Sequence, residues 1–328
     1  MAKVLVTGGA GYIGSHTVKH LLDANYQVVV LDNLYSGHRW AVDNRADFIE
    51  GDAGIQETVQ GVFSQHDISA VVHFAGHIVV PESVSDPLKY YRNNCEVTQT
   101  LASLANENEI KRFIFSSSAA VYGNPERVPA LEDDLTKPIS PYGRTKLISE
   151  WMLEDLSAAS KAFNYVALRY FNVAGAAIDG SLGQSTPEAT HLIKVASELA
   201  TGKRDKMAIF GDDYATDDGT CVRDYIHVED LAAAHVSALR YLEKGGESDV
   251  FNCGYGEGFS VKQVLHEVQE LANKPLMIEQ QGRREGDPDE LIAANAKIRS
   301  ALDWQPKYQD LKLICETALS WEKSYNAK

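Results

Sequence analysis

The sequence predicts an α/β protein, a doubly wound parallel sheet carrying a smaller C-terminal α/β domain, and three observations predict it. Through the first 172 residues short β-branched runs alternate with longer amphipathic stretches. A glycine-rich turn directly follows the first of those runs, and an acidic residue closes the second. Parallel strands need a long crossover to reach their neighbours, and with helices on both faces they become near-continuous apolar runs.

Taken in order, the predicted strands are residues 3–7, 27–31, 47–50, 70–74, 112–116 and 165–169. Between them, apolar residues recur at helical spacing, as in Ile13, Val18, Leu21 and Leu22, or Val97, Leu101, Leu104 and Ala105. After residue 172 the rhythm changes. A Gly-rich passage at 174–183 precedes a helix over 189–201 and a strand over 207–210. An acidic, turn-rich stretch at 211–219 leads to helices over 227–242 and 261–273. Residues 282–290, charged and holding Gly286 and Pro288, form a loop, and a short strand follows over 291–294. The expected division is therefore 1–172 and 173–328, with part of the second segment threading back beside the first.

Composition narrows the function. The chain has 328 residues and a formal net charge of −15, from 46 acidic and 31 basic side chains, which opposes any interface that works by neutralising phosphates along a duplex. No apolar run approaches the 18 or so residues of a membrane span, and Met1-Ala2-Lys3 leads straight into a strand without an export segment, so a cytoplasmic protein with no membrane partner is expected. The four cysteines, Cys95, Cys221, Cys253 and Cys315, are scattered, and His266-Glu267 lacks the second histidine of a zinc-binding helix because position 270 is Glu. No metal is expected.

Gly8, Gly9, Gly11 and Gly14 fall between an apolar strand and an amphipathic helix. Glycines there permit a tight turn and let the backbone approach a pyrophosphate, which meets the positive end of the helix. Asp32 comes directly after the second strand, where a carboxylate accepts from adenosine ribose hydroxyls and repels a 2′-phosphate, so NAD is expected over NADP. Asp52 after the third strand suits the adenine amino group. Phe74, Ala75 and Gly76 follow the fourth, at the strand ends where such sheets bind ligands.

Ser116, Ser117 and Ser118 end the fifth strand, while Tyr142 and Lys146 stand four residues apart at the start of the next helix, on one face. An ammonium beside a phenol favours phenolate, and Tyr142 then becomes a base for a hydroxyl proton with Ser118 holding that hydroxyl.

The blocks TGGAGYIG, HFAG, SSSAAVYG, SPYGRTK and LRYFNVAGA, in this order, resemble the extended short-chain dehydrogenase/reductase superfamily with its Rossmann domain. In the second half, AIFGDDYATDDGTCVRDYIHVED at 208–230 and GRREGD at 282–287 resemble its UDP-hexose 4-epimerase branch. The resemblance implies Tyr142 as acid/base, Ser118 as its partner at the sugar hydroxyl, and Lys146 at the nicotinamide ribose. It implies a cofactor wall of Gly8, Gly11, Tyr12, Ile13, Gly14, Asp32, Asn33, Asp52, Ala53, Phe74, Ala75, Gly76, Asn93, Ser116 and Tyr170. It also implies a nucleotide-sugar wall of Phe171, Asn172, Leu192, Phe210, Arg223, Arg284, Asp287 and Leu291, with Ser118 and Tyr142 shared. Arg223 and Arg284 are forked donors suited to a diphosphate, and Asp287 is an acceptor suited to a ribose or uracil donor.

Family resemblance further implies a homodimer and a transient oxidation at the sugar C4 with NAD bound throughout. The chain departs from the best-known bacterial pattern at Ile78 and Val79, at His191, and at Leu291, which replaces a bulky aromatic. The smaller Leu291 predicts room for an N-acetyl group at C2. Two alternatives remain, a nucleotide-sugar 4,6-dehydratase and a noncatalytic NAD-binding regulator. Against the first, Ser118 is followed by Ala119 and Ala120, where dehydratases carry an Asp-Glu pair.

Overall fold

A computed structural model describes residues 3–284 and 287–325. Met1 and Ala2, and Glu285 and Gly286 of the GRREGD block, lie outside the described residues. The first half runs β1 (Lys3–Thr7), α1 (Tyr12–Asp23), β2 (Gln27–Asp32), β3 (Asp47–Glu50), α2 (Gln56–Gln65), β4 (Ile68–His73), α3 (Val80–Ser85), α4 (Pro87–Tyr90), α5 (Val97–Glu107), β5 (Arg112–Ser118), α6 (Pro141–Ala159) and β6 (Asn164–Tyr170). The second runs β7 (Asn172–Ala174), α7 (Leu192–Thr201), β8 (Met207–Phe210), β9 (Val222–His227), α8 (Val228–Glu243), β10 (Asp249–Cys253), β11 (Gly258–Ser260), α9 (Val261–Ala272), β12 (Ile278–Gln281), β13 (Glu290–Leu291), α10 (Ala296–Ala301) and α11 (Leu311–Ser324).

Seven parallel strands form the main sheet in the order β10-β6-β5-β4-β1-β2-β3. The order reverses direction at β1 and β4, which opens a crevice beyond the strands' carboxyl ends. Alternation along each strand feeds two cores. Val4, Val6, Val28, Val30, Val72 and Ile114 point to the face that packs with Val18 and Leu21 of α1 and Leu231 of α8, whereas Leu5, Val29, Leu31, Val71 and Phe113 face Val59 of α2 and Leu101 of α5. Burial on both sides explains why these strands have so little polar alternation.

A second sheet centres on β9, which pairs with β11, β13 and β7; β8 and β12 pair separately. The chain crosses from the first sheet to the second between Tyr170 and Asn172, so Phe171 stands at the seam.

Several expected boundaries move. The helix expected at 189–201 begins at Leu192, because His191 takes an extended N-cap conformation. The strand expected over 291–294 shrinks to β13, which claims Glu290 from the expected loop, and beyond it the chain continues as a bridge to Ala130. Strands β9 and β10 were not expected from periodicity. β9 buries Arg223, Asp224 and His227, so it has no apolar run to betray it. β10 threads back to pair with β6, and α8 packs on α1, β5 and β6, so residues after 172 complete the first sheet and its cover.

Candidate active site

A cavity of about 1560 Å³ lies along the carboxyl ends of the main sheet and extends to the second sheet. Its floor at β1 is main chain packed on main chain. Gly8 has φ +71°, and a Cβ there would come within 2.7 Å of Ala75 N. A Cβ on Gly14 would overlap the Gly8 carbonyl, so α1 can approach the loop this closely only with hydrogen at that position. Gly11 N-caps α1 without any side-chain cap, so the helix presents its free amide end. That is a cradle for a pyrophosphate, and it fits NAD.

Asp32, 7% exposed, borders the cavity and also holds the loop together: one carboxylate oxygen accepts from Ala10 N at 2.9 Å and the other from Leu34 N at 2.8 Å. Asp52 accepts from Gly54 N at 2.8 Å and from the Asn33 side chain at 3.0 Å. These carboxylates are thus oriented before any ribose or adenine arrives. Tyr12 donates to the Gly175 carbonyl at 2.6 Å, tying α1 to the chain just past β7. Asn93 lies on a π-helical stretch between α4 and α5, and it and Asn94 both accept from His77 N, at 2.9 and 2.8 Å. Asn94 also donates to Thr145 on α6 at 3.0 Å, a brace that no motif announced. Ile13, Ala53, Phe74, Ala75, Gly76, Ser116 and Tyr170 also line this part of the cavity, with the Tyr170 hydroxyl bonded to that of Ser116.

Ser118, Tyr142 and Lys146, the residues expected to react, sit where β5 meets α6. Ser140 caps α6, accepting from Gly143 N at 3.1 Å, and Pro141 opens the helix, which places Tyr142 in the first turn at the cavity wall. Alternation along β5 sends the Ser117 side chain to the other face from Ser116 and Ser118. There it donates to Glu150 at 2.5 Å, and Glu150 pairs with buried Arg169 at 2.7 Å. This ion pair clamps α6 to β5 and β6 one turn beyond Lys146.

Burial raises the Tyr142 pKa, and a hydrogen bond from Ser118 works against that rise. Lys146 requires a correction to the expected tuning. Its ammonium donates to the Ser116 carbonyl at 2.7 Å and lies over the Tyr142 ring, 5.9 Å from its centre. The groups that set the phenol's pKa are burial and Ser118. Lys146 is 4% exposed, lies behind Gly76, and does not itself line the cavity; burial lowers its pKa to about 8. The other residues expected at the site all line this cavity.

On the far side Phe171, Asn172, Leu192 and Phe210 line the wall. Arg223 is almost buried and pairs with Asp287 at 3.2 Å; Arg284 stacks on the Phe210 ring, 3.7 Å from its centre. Arg204 and Lys206, which the motifs missed, also line the cavity, Lys206 paired with Glu279 at 3.0 Å and Arg204 with Glu198. Leu291 touches both the cavity and the small apolar cluster of Ala119, Tyr122 and Phe171. His191 and Gln184 also line the site. Among the described residues no cluster of His, Cys, Asp or Glu could hold a metal, and no helix is long and apolar enough to cross a membrane.

Residues 4–254 match the NAD dependent epimerase/dehydratase family. The chain is 51% identical over 322 residues to a UDP-glucose 4-epimerase of Azospirillum brasilense, covering 98% of this chain and 92% of that protein. A crystal structure of UDP-glucose 4-epimerase from Brucella ovis in complex with NAD superposes with a TM-score of 0.95 at 45% identity, over 98% of this chain and 99% of that one. The UDP-Glc/GlcNAc 4-epimerase of Campylobacter jejuni superposes with a TM-score of 0.87 at 48% identity, over 99% of this chain and 100% of that one.

Proposed function

The chain belongs to the NAD dependent epimerase/dehydratase family, and from that premise we propose how its own residues carry out the reaction. The activity is that of a UDP-glucose 4-epimerase, an isomerisation with NAD as cofactor. When bound, NAD supplies the acceptor and donor of hydride at the sugar C4. The glycine cradle, Asp32, Asp52 and Asn33 would hold its adenosine and pyrophosphate, and Tyr170 and Ser116 the nicotinamide end, with Lys146 supporting them from behind through the Ser116 carbonyl. Ser118 positions the 4-hydroxyl, and the Tyr142 oxygen takes that proton and later returns it to O4 once the sugar has turned over. Burial opposes ionisation of Tyr142, and Ser118 is the group that works against that rise and favours the phenolate.

The observation that carries this reading is the placement of Tyr142 and Ser118 together at the wall shared by the cofactor and nucleotide sides. Residues 1–172 are assigned to the cofactor, with β10 and α8 in support, and the remainder to the nucleotide sugar. Arg223, Arg284 and Asp287 anchor the UDP, leaving the sugar weakly held and free to turn, as a catalyst that must address both faces requires. Ala119 and Ala120 offer only methyl groups at the cavity, where elimination would need an acid, which disfavours a dehydratase.

A finer proposal concerns substrate range. Leu291, at the cavity, is smaller than an aromatic side chain, and the protein also accepts UDP-GlcNAc and UDP-GalNAc; the Campylobacter jejuni enzyme, named for UDP-Glc and GlcNAc, supports this. A homodimer and a cytoplasmic location are proposed as well, the first testable by light scattering. Incubating NAD-loaded protein with UDP-galactose should yield UDP-glucose. No conversion would end the epimerase reading, and a 4-keto-6-deoxy product would replace it with the dehydratase.

A further inference from the structure

The segment between β7 and α7 holds a hydrogen-bonded pair that the motif blocks do not contain. His191 is the N-cap residue of α7 and shares the cavity with Leu192, Arg223 and Arg284. Its Nδ1 lies 2.8 Å from Nε2 of Gln184. An amide nitrogen only donates, so Nδ1 accepts, and a neutral imidazole in that arrangement carries its proton on Nε2. Burial pushes the His191 pKa below its ordinary value, which keeps the ring neutral near pH 7. Gln184 is 7% exposed and fixed at its backbone: its carbonyl accepts from Trp321 Nε1 on α11 at 3.2 Å. The next carbonyl, of Ser185, is 3.0 Å from His38 Nε2, in the loop after β2. A Cβ on Gly183 would overlap the Trp321 ring, so the segment is pressed against α11.

We infer that His191 donates through Nε2–H to the diphosphate of the nucleotide sugar, and that Gln184 is a positioning residue that holds His191 in this tautomer. The inference rests on the reading of the cavity as a UDP-sugar site. α7 starts without a side-chain cap, so its first backbone amides and positive end open where His191 stands. With the forked donors Arg223 and Arg284 in the same cavity, the neighbourhood is rich in hydrogen-bond donors, and a diphosphate offers many acceptors. The opposite tautomer would aim a lone pair at those oxygens and lose the contact.

The test uses NAD-loaded protein labelled with ¹⁵N-histidine, with the His191 signals assigned by their loss in His191→Gln. The wild-type ring should be neutral with its proton on Nε2, and adding UDP should shift that nitrogen. Gln184→Glu, whose carboxylate accepts, should place a proton on Nδ1, a signature that a purely structural role would not produce. By calorimetry His191→Phe should bind UDP about tenfold more weakly, the scale of a hydrogen bond to a charged group. His191→Gln, which keeps a donor, should recover most of that loss, and NAD should stay bound in all three variants. A wild-type proton on Nδ1, an unprotonated Nδ1 in Gln184→Glu, or UDP affinity in His191→Phe within twofold of wild type would each overturn the inference. UDP binding to wild type separates the two levels of argument: its absence would sink the UDP-sugar reading itself, whereas wild-type binding with indifferent variants sinks only the role of the pair.

Discussion

On the side of β1 to β4 the cavity wall is main chain lying against main chain, with Gly8 and Gly14 leaving no room for a Cβ and Asp32 bonded to the backbone it faces. On the side of β8, β9 and β13 it consists of side chains reaching inward, with Arg223 against Asp287, Arg284 stacked on Phe210, and Leu291 on the apolar cluster that contains Phe171. In the first region binding and folding use the same atoms, so a substitution there disturbs both. In the second, side chains can be exchanged while the backbone stays put, which lets affinity and sugar preference change separately from stability. Tyr142 lines the same cavity, at the junction proposed for the chemistry.

The largest effect is expected at that junction. Tyr142→Phe removes one hydroxyl and leaves the buried ring, so NAD binding and melting temperature should hold while turnover falls by about two orders of magnitude or more. Turnover within a few-fold of the parent would remove Tyr142 as the proton carrier. The contrast between the walls is next. Gly14→Ala forces a methyl group into the Gly8 carbonyl and should cost about 1–3 kcal/mol of stability, as overpacking does, together with retained NAD. Arg284→Ala should weaken UDP binding about tenfold, the scale of one lost charge-assisted contact, with NAD and melting temperature unchanged. If Arg284→Ala lowers the melting temperature as far as Gly14→Ala does, the two walls are not built differently.

Leu291→Tyr sharpens the comparison inside the second wall. It should depress turnover of UDP-GlcNAc about tenfold, the scale of a steric change in one pocket, and spare UDP-glucose. Equal losses on both sugars would place the gate elsewhere. The smallest effect is one of stability. Folding lowers the Lys146 pKa from 10.5 to about 8, so between those values the unfolded chain binds more protons than the folded one and stability rises with pH; below pH 8 the cost of burying the charge is paid in full. Lys146→Met should therefore melt a few degrees higher than the parent at pH 7 in the cofactor-free protein, with the gain fading above pH 8, while catalysis is lost. A gain that does not depend on pH would point to packing instead of charge.

The sequence by itself determined the parallel sheet, the glycine turn with Asp32 after the second strand, and the placing of Ser118 at a strand end and of Tyr142 and Lys146 on one helix face, because each depends on local spacing: period-two burial, a strand-to-helix turn, and residues four apart on a helix. It also marked Arg223, Arg284 and Asp287 through motif blocks, without showing that Arg223 and Asp287 touch. Only the tertiary structure decided what joins across distance. β10 enters the first sheet from far along the chain, a long-range pairing that its five residues do not advertise. Arg169 finds Glu150 behind the reactive helix, and Asn94 finds Thr145. Lys146 sits one turn from Tyr142, as the spacing requires, yet its ammonium turns to the Ser116 carbonyl, because a buried cation goes to the oxygen within reach, and sequence spacing does not say which oxygen that is. His191 looked like a departure from a pattern until folding set Gln184 against it.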